Sequence, residues 1–378
     1  MNPIGVYIHI PFCERKCLYC DFNSGPATES VKERYIKALI KEVSLYKEVL
    51  ENRKIQTLFI GGGTPSSVPP SLFEQLLKAL HDHIDFSAVE EFTIEANPGT
   101  IDKEKLALYR RYGINRISFG VQSFNDQLLK RIGRLHSRDE AIQSVKLAKE
   151  MGFENINIDL MHNLPGMVAE DLYESISIAN DLGVQHISLY SLILEEGTPL
   201  FNEFETKGLP LLEEAEERAV FHKGLQMLSD NGYNRYEVSN FSKKGKECAH
   251  NLIYWTVEDY IGLGISAHGK YMYTRYHNAA SIDTYVEQLN GGDYPIVEKE
   301  VLSIEDEAFE AIMLGLRLSK GINFEWYYRR FNIDIEEKFA SVIKEQIERG
   351  TVVIENGQLF LTDYGHDISN SVIIEFME

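Results

Sequence analysis

The sequence is short of cysteine, of basic residues and of long apolar runs, and each shortage excludes something. Of its four cysteines in 378 residues, three crowd into one loop and cannot all pair. Nothing suggests secretion, so a disulfide framework is not expected. No apolar run approaches the roughly 18 residues that a membrane-spanning helix requires. Residues 1–12 carry neither a basic leader nor a long apolar stretch, which predicts a chain without a secretory signal and a cytoplasmic location. Lysine and arginine total 38 against 58 aspartates and glutamates, a net charge of −20. A surface of that sign repels a phosphate backbone, so no nucleic-acid partner is expected. With 44% apolar and 11% aromatic residues, the chain can bury a large core, and its length predicts one large domain with a smaller one.

What is present is a regular alternation of strand and helix. Val6-Tyr7-Ile8-His9-Ile10 reads as a first strand. Val31, Tyr35, Leu39, Val43 and Tyr46 recur at three- and four-residue spacing and predict a helix over 29–50. A strand at 57–60 runs into Gly61-Gly62-Gly63-Thr64-Pro65, and a helix follows with Ser71 as its N-cap. Strands at 92–96, 116–121, 156–161 and 186–192 then alternate with helices over 102–111, 125–151 (two of them) and 169–182. Gly113, Gly152 and Gly183 end the helices before three of these strands. Six strands joined by helical crossovers predict a parallel sheet. The fold class is α/β, an open or partial (β/α)6 barrel over 1–230. Ligands in such folds gather at the C-terminal ends of the strands. Three cysteines, Gly61, Gly62, Gly63, Glu95, Gln122 and Asp159 all fall there.

After Glu195, Gly197-Thr198-Pro199 and Gly208-Leu209-Pro210 signal loops. Glu213, Glu214, Glu216 and Glu217 then open a helix reaching about Ser229, where acidic residues need no functional explanation. Residues 231–292, rich in tyrosine, histidine and glycine, read as strands and loops extending the sheet. A linker is expected near 291–300. Helices over 304–319, 323–330 and 334–349, then a hairpin around Asn356-Gly357, predict a winged-helix-like α+β domain over 293–378. Its last helix sets Lys338, Lys344 and Arg349 against five acids, which suits a packing or partner domain better than a DNA-binding one.

Cys13, Cys17 and Cys20 follow the first strand with C-x3-C-x2-C spacing. Three thiolates can hold three irons of a [4Fe–4S] cluster and leave the fourth open to a small molecule. Zinc held by three cysteines and His9 is the other reading that the spacing allows. The triad resembles that of the radical S-adenosylmethionine (SAM) superfamily, in which SAM chelates the open iron and is cleaved to a 5′-deoxyadenosyl radical. The phrase Tyr7-Ile8-His9-Ile10-Pro11-Phe12-Cys13 narrows the resemblance to the HemN/HemW family.

That resemblance implies further site residues. No lysine follows the glycine triplet, so a Walker phosphate loop is excluded. Gly62, Gly63 and Thr64 instead resemble the loop that contacts the methionine amino group of SAM. Glu95 in Ile94-Glu95-Ala96-Asn97-Pro98, Gln122 in Gly120-Val121-Gln122-Ser123-Phe124, Arg134 in Ile132-Gly133-Arg134 and Asp159 in Asn157-Ile158-Asp159-Leu160 match SAM-binding positions. A carboxylate at Asp159 suits a ribose diol, and the planar fork of Arg134 suits the methionine carboxylate. Tyr7 and Tyr19 are expected to flank the cluster and approach the adenine. Any one of these is more often a structural polar residue; at successive strand ends together they define a site.

The family holds two activities, an oxygen-independent coproporphyrinogen III oxidase and a heme chaperone. Three features favour the chaperone. Phe22 stands where the oxidase has a further cysteine, and the first strand begins by about residue 5, without the oxidase's long extension. His250-Asn251-Leu252-Ile253-Tyr254-Trp255 matches the HNxxYW pattern of the chaperones. The expected ligands are therefore a [4Fe–4S] cluster, SAM and heme. The expected partners are heme-accepting proteins, with membrane respiratory enzymes as one class. An imidazole flanked by aromatic rings suits heme iron, making His250 the candidate axial ligand and Cys248 the second. The competing reading makes His250 and Asn251 supports of the sheet, and Tyr254 and Trp255 core.

Overall fold

The computed structural model describes residues 3–377. Strands β1 (Ile4–Ile10), β2 (Ile55–Gly62), β3 (Glu91–Ala96), β4 (Arg116–Gln122), β5 (Asn155–His162) and β6 (His186–Ser191) lie side by side in chain order, all parallel. Helices Glu29–Leu45, Pro70–His83, Lys103–Arg111, Arg138–Glu150 and Ala169–Asp181 make the crossovers. Alternation along each strand divides the sheet's two faces. One face carries Val6, Ile8, Leu58, Ile60, Ile94, Phe119 and Ile158, fully buried in one apolar core with the helices. The other carries Thr57, Thr93, Glu95, Arg116, Ser118, Asn157, Asp159, His186 and Ser188, an unusually polar lining.

The chain after 231 widens this sheet at both edges. β8 (Asn240–Ser242) adds antiparallel to β6, and β7 (Asn234–Arg235) antiparallel to β8. β9 (Tyr260–Leu263) returns parallel to β1, followed outward by β10 (His268–Tyr271), β11 (Thr274–Asn278) and β12 (Ile296–Val301). The twelve strands form an open sheet, with β7 and β12 at its edges. The segment expected as a linker is therefore partly strand. Gly292 turns the chain at φ 87°, and β12 pairs with β11.

Other boundaries differ for identifiable reasons. The helix expected over 29–50 breaks at Tyr46, whose buried ring packs edge-on against Tyr294 at 5.0 Å. Ser71 is not an N-cap: proline occupies the first helical position at Pro70, where its missing N–H costs nothing. The loop signals near Gly197 conceal a helix, Pro199–Lys207, whose start is capped by Thr198 Oγ1 accepting the Phe201 N–H at 3.2 Å. Residues 334–349 form two helices, Ile335–Lys338 and Ala340–Glu348, split where Phe339 turns into the small domain's core against Phe376.

The small domain has a core of its own around Phe331, Phe339, Leu359 and Val372. Its sheet runs β13 (Ile322–Asn323), β15 (Gln358–Leu361), β14 (Val352–Glu355) in spatial order. Asn356 and Gly357 both adopt positive φ, 53° and 72°, as a two-residue hairpin with primed turn geometry demands. Helices leading into this hairpin give the winged α+β arrangement.

Candidate functional site

Beyond the end of β1, Cys13 N donates to Gly25 O and Gly25 N to Pro11 O, both at 3.0 Å, closing a loop that carries the three cysteines. Phe12 anchors its base, buried edge-on against Tyr35. The glycine triplet is required by this loop. A Cβ on Gly63 would sit 2.7 Å from Phe12 O and 3.0 Å from Cys13 Sγ, and one on Gly62 would meet the His9 ring at 2.6 Å.

Each thiol faces a donor. Thr64 Oγ1 donates to Cys13 Sγ at 3.5 Å and Arg134 Nη1 to Cys17 Sγ at 3.4 Å. Burial pushes the Cys20 thiol up, against the Phe22 N–H that stabilises its thiolate. His9, the fourth ligand of the zinc alternative, is engaged at both nitrogens: Nδ1 with Tyr7 Oη at 3.0 Å and Nε2 with Asn23 O at 3.2 Å. Among the described residues no three His, Cys, Asp or Glu side chains converge on one point as ligands of a single metal ion.

A cleft of about 140 Å³ opens beside the cysteines. It is lined by Cys13, Cys17, Cys20, Tyr19, Gly62, Gly63, Thr64, Glu95, Gln122, Arg134 and Asp159. The Glu95 carboxylate accepts the Gly62 N–H at 3.0 Å; burial, then the Asp159 charge, push it up to about 8. Burial also raises Asp159, opposed by hydrogen bonds from Ser188 and Asn157, the latter at 2.7 Å. Gln122 follows a bulge at the end of β4 and sits at φ 70°, a conformation that costs a non-glycine residue about 1 kcal/mol or more and concentrates at functional sites. The Arg134 guanidinium donates to Asn97 Oδ1 at 2.7 Å and to Gly120 O, while its buried Nε has no partner.

Sequence reasoning missed Asn97. Its Nδ2 donates to Thr64 Oγ1 at 2.8 Å, so it links the cysteine loop to Arg134. Its place directly after β3, beside Glu95, was the available signal.

Two expected residues are elsewhere. Tyr7 lies on the polar face of β1 beside Phe59 and does not line the cleft. His250 belongs to helix Ala249–Trp255, at the opposite, N-terminal end of the strands. There the Glu91 carboxylate accepts the Ala249 N–H at 3.0 Å, the His250 N–H at 3.1 Å and the Cys248 thiol at 3.3 Å. His250 Nδ1 meets Thr57 Oγ1 at 2.7 Å and Nε2 meets Tyr254 Oη at 2.8 Å. The ring is buried and packs on Phe59, and burial drives it down to about 3. Burial also pushes the Cys248 thiol up to about 12. With both His250 nitrogens and the Cys248 thiol hydrogen engaged, the HNxxYW helix plugs the sheet, the arrangement that the competing reading expects.

The donor set at the other end fits a cluster and a nucleoside. Three thiols carry hydrogen-bond donors of the kind that tune cluster potentials, and an unpartnered guanidinium nitrogen and two buried carboxylates face the same cleft. When bound, the cluster supplies an electron and the open iron that SAM chelates.

These features define a radical SAM protein. The radical SAM superfamily pattern matches residues 7–179, and the HemN C-terminal domain pattern matches residues 302–367. The chain is 36% identical over 376 residues to the heme chaperone HemW of Lactococcus lactis subsp. lactis, covering 100% of this chain and 98% of that protein. It is 36% identical to the heme chaperone HemW of Bacillus subtilis over 378 residues, 99% of each. To that of Escherichia coli it is 40% identical over 271 residues, 71% of each. The chain belongs to the HemW family of heme chaperones, whose radical SAM membership implies a [4Fe–4S] cluster and SAM. In fold it matches the coproporphyrinogen III oxidase HemN of Escherichia coli, with a TM-score of 0.87 at 21% identity, covering 99% of this chain and 90% of that one. Among the described residues no helix is long and apolar enough to cross a membrane.

Proposed function

We propose that this protein binds heme and passes it to acceptor proteins, membrane respiratory enzymes among them. It does so with a [4Fe–4S] cluster on Cys13, Cys17 and Cys20 and SAM on the open iron. In this reading Arg134 holds the methionine carboxylate, Asp159 the ribose diol, and the Gly62 and Gly63 backbone with Thr64 the amino group. Glu95 and Gln122 supply further polar contacts, and Tyr19 shields the cluster. The observation that carries it is similarity running end to end with heme chaperones, in a chain whose predicted SAM residues other than Tyr7 line one cleft.

The other activity of the wider family, decarboxylation of coproporphyrinogen III, is supported only by likeness of fold. Phe22, 61% exposed beside the triad, gives no further thiolate. One anaerobic experiment separates the two. The cluster is reconstituted to about four irons per chain, then hemin is titrated in parallel with an assay of coproporphyrinogen III turnover under SAM and reductant. Heme retention without turnover is expected; turnover without heme binding overturns the chaperone reading.

A further inference from the structure

If the protein carries heme, as proposed above, the heme needs a site other than the sealed HNxxYW helix. Among the described residues two other buried imidazoles border cavities: His136, whose Nε2 already meets Val121 O at 3.1 Å beside the cysteine loop, and His162. His162 ends β5 on the sheet's apolar face, paired in register with Ser191, and is only 4% exposed. Phe221 of helix Glu214–Asp230 stacks on it at 4.9 Å and 25°. Its Nδ1 lies 3.5 Å from Glu217 Oε1 yet makes no hydrogen bond.

Facing the same cavity, His366 of helix Asp363–Asp367 also buries an Nδ1 without a partner. The cavity, about 290 Å³, lies between the sheet, helix Glu214–Asp230 and the small domain. It adjoins a second of about 490 Å³ that shares Arg235 and Asp367. Together they fall in the size range of cofactor sites. Leu189 and Phe221 give the wall apolar surface, and Arg218 and Arg235 give it cationic groups. The acids there already have partners: Glu217 accepts the Ser191 hydroxyl at 2.7 Å, Glu214 pairs with Arg218 at 2.9 Å, and Asp367 pairs with His222 at 3.0 Å.

We propose that this interdomain groove is the heme site, with His162 Nε2 as axial ligand, Glu217 orienting the ring through Nδ1, and Arg218 and Arg235 facing the propionates. A carboxylate on the non-ligating nitrogen fixes the tautomer and raises ligand basicity. Binding is a ligand exchange: an iron–nitrogen bond replaces iron-bound water, and no electron moves. His366 supplies a second imidazole from the small domain.

The test uses the full chain with its cluster reconstituted and hemin as the probe, following the Soret band. Two variants act by different routes. His162→Ala removes the ligand, and Ser191→Trp fills the cavity from its exposed rim while keeping both imidazoles. Each is expected to weaken hemin binding at least ~10-fold, the scale on which sites lose affinity when their supporting residues are removed. His162→Ala should also shift the Soret maximum, and SAM should perturb the cluster spectrum as in the wild type. Wild-type affinity and an unshifted Soret band in both variants overturn this site alone. A wild-type protein that binds no hemin overturns the chaperone reading and this site with it.

Discussion

Glu91 and Glu95 stand four residues apart on one strand, pointing to the same face, and have opposite fates. Glu91 accepts three donors from the start of the HNxxYW helix. Glu95 accepts one backbone N–H and faces an open cleft. The two ends of the polar face differ in the same way. At the N-terminal end His250 is engaged at both nitrogens and neutral. At the C-terminal end Arg134 keeps an unpartnered Nε and Gln122 holds a left-handed backbone. A buried polar group whose partners are complete is architecture; one with an open valence beside a cavity is a site. The family motif most suggestive of heme chemistry falls in the first class.

That comparison can be broken at its strongest point first. Cys17→Ser should abolish the cluster, read as loss of iron and of the visible absorption band, with the fold retained by circular dichroism. At the closed end, Glu91→Ala leaves buried N–H groups without an acceptor. It should lower stability by about 3 kcal/mol in urea unfolding and leave SAM affinity unchanged; a variant of wild-type stability would show that the plug is not held there.

Glu95 should shape the pH dependence of the cluster-free protein. Its folded pKa, about 8, lies above its ordinary value of 4.5, so the native state binds the proton more tightly. Its contribution is complete below about pH 4.5 and lost as pH rises towards 8. The unfolding free energy should fall across that window by an amount on the order of a few kcal/mol. Glu95→Gln should remove its share of this slope, leaving the parts due to other carboxylates that burial raises, among them Asp159, Glu237 and Glu42, the last pushed up to about 7.

Arg134→Lys keeps the charge but loses the planar fork, and should weaken SAM about 10-fold by equilibrium titration. Smallest, Gly357→Ala in the wing hairpin should cost about 1 kcal/mol in thermal unfolding, with no change at either end of the large sheet's strands.

Much of the site was legible because βα alternation is a local signal and ligands collect at one predictable end of such sheets. Glu95, Gln122 and Asp159 could be placed by counting strands. Tyr7 could not: its parity puts it on the polar face, but nothing local says how far below the rim that face is filled. Helix Pro199–Lys207 hid behind glycine and proline signals that also cap helices, and β12 looked like a linker because an edge strand buries almost nothing.

The sequence by itself determined the three-thiol loop, the parallel order of six strands and the residues along the cleft, since each follows from short-range spacing. Tertiary structure alone decided that His250 is a sealed plug and that His162, beside Glu217 between two domains, keeps an Nδ1 without a hydrogen bond. A histidine's role depends on which groups reach its two nitrogens. Those groups, Thr57 for one and Glu217 for the other, are brought there by strands and helices distant in the chain.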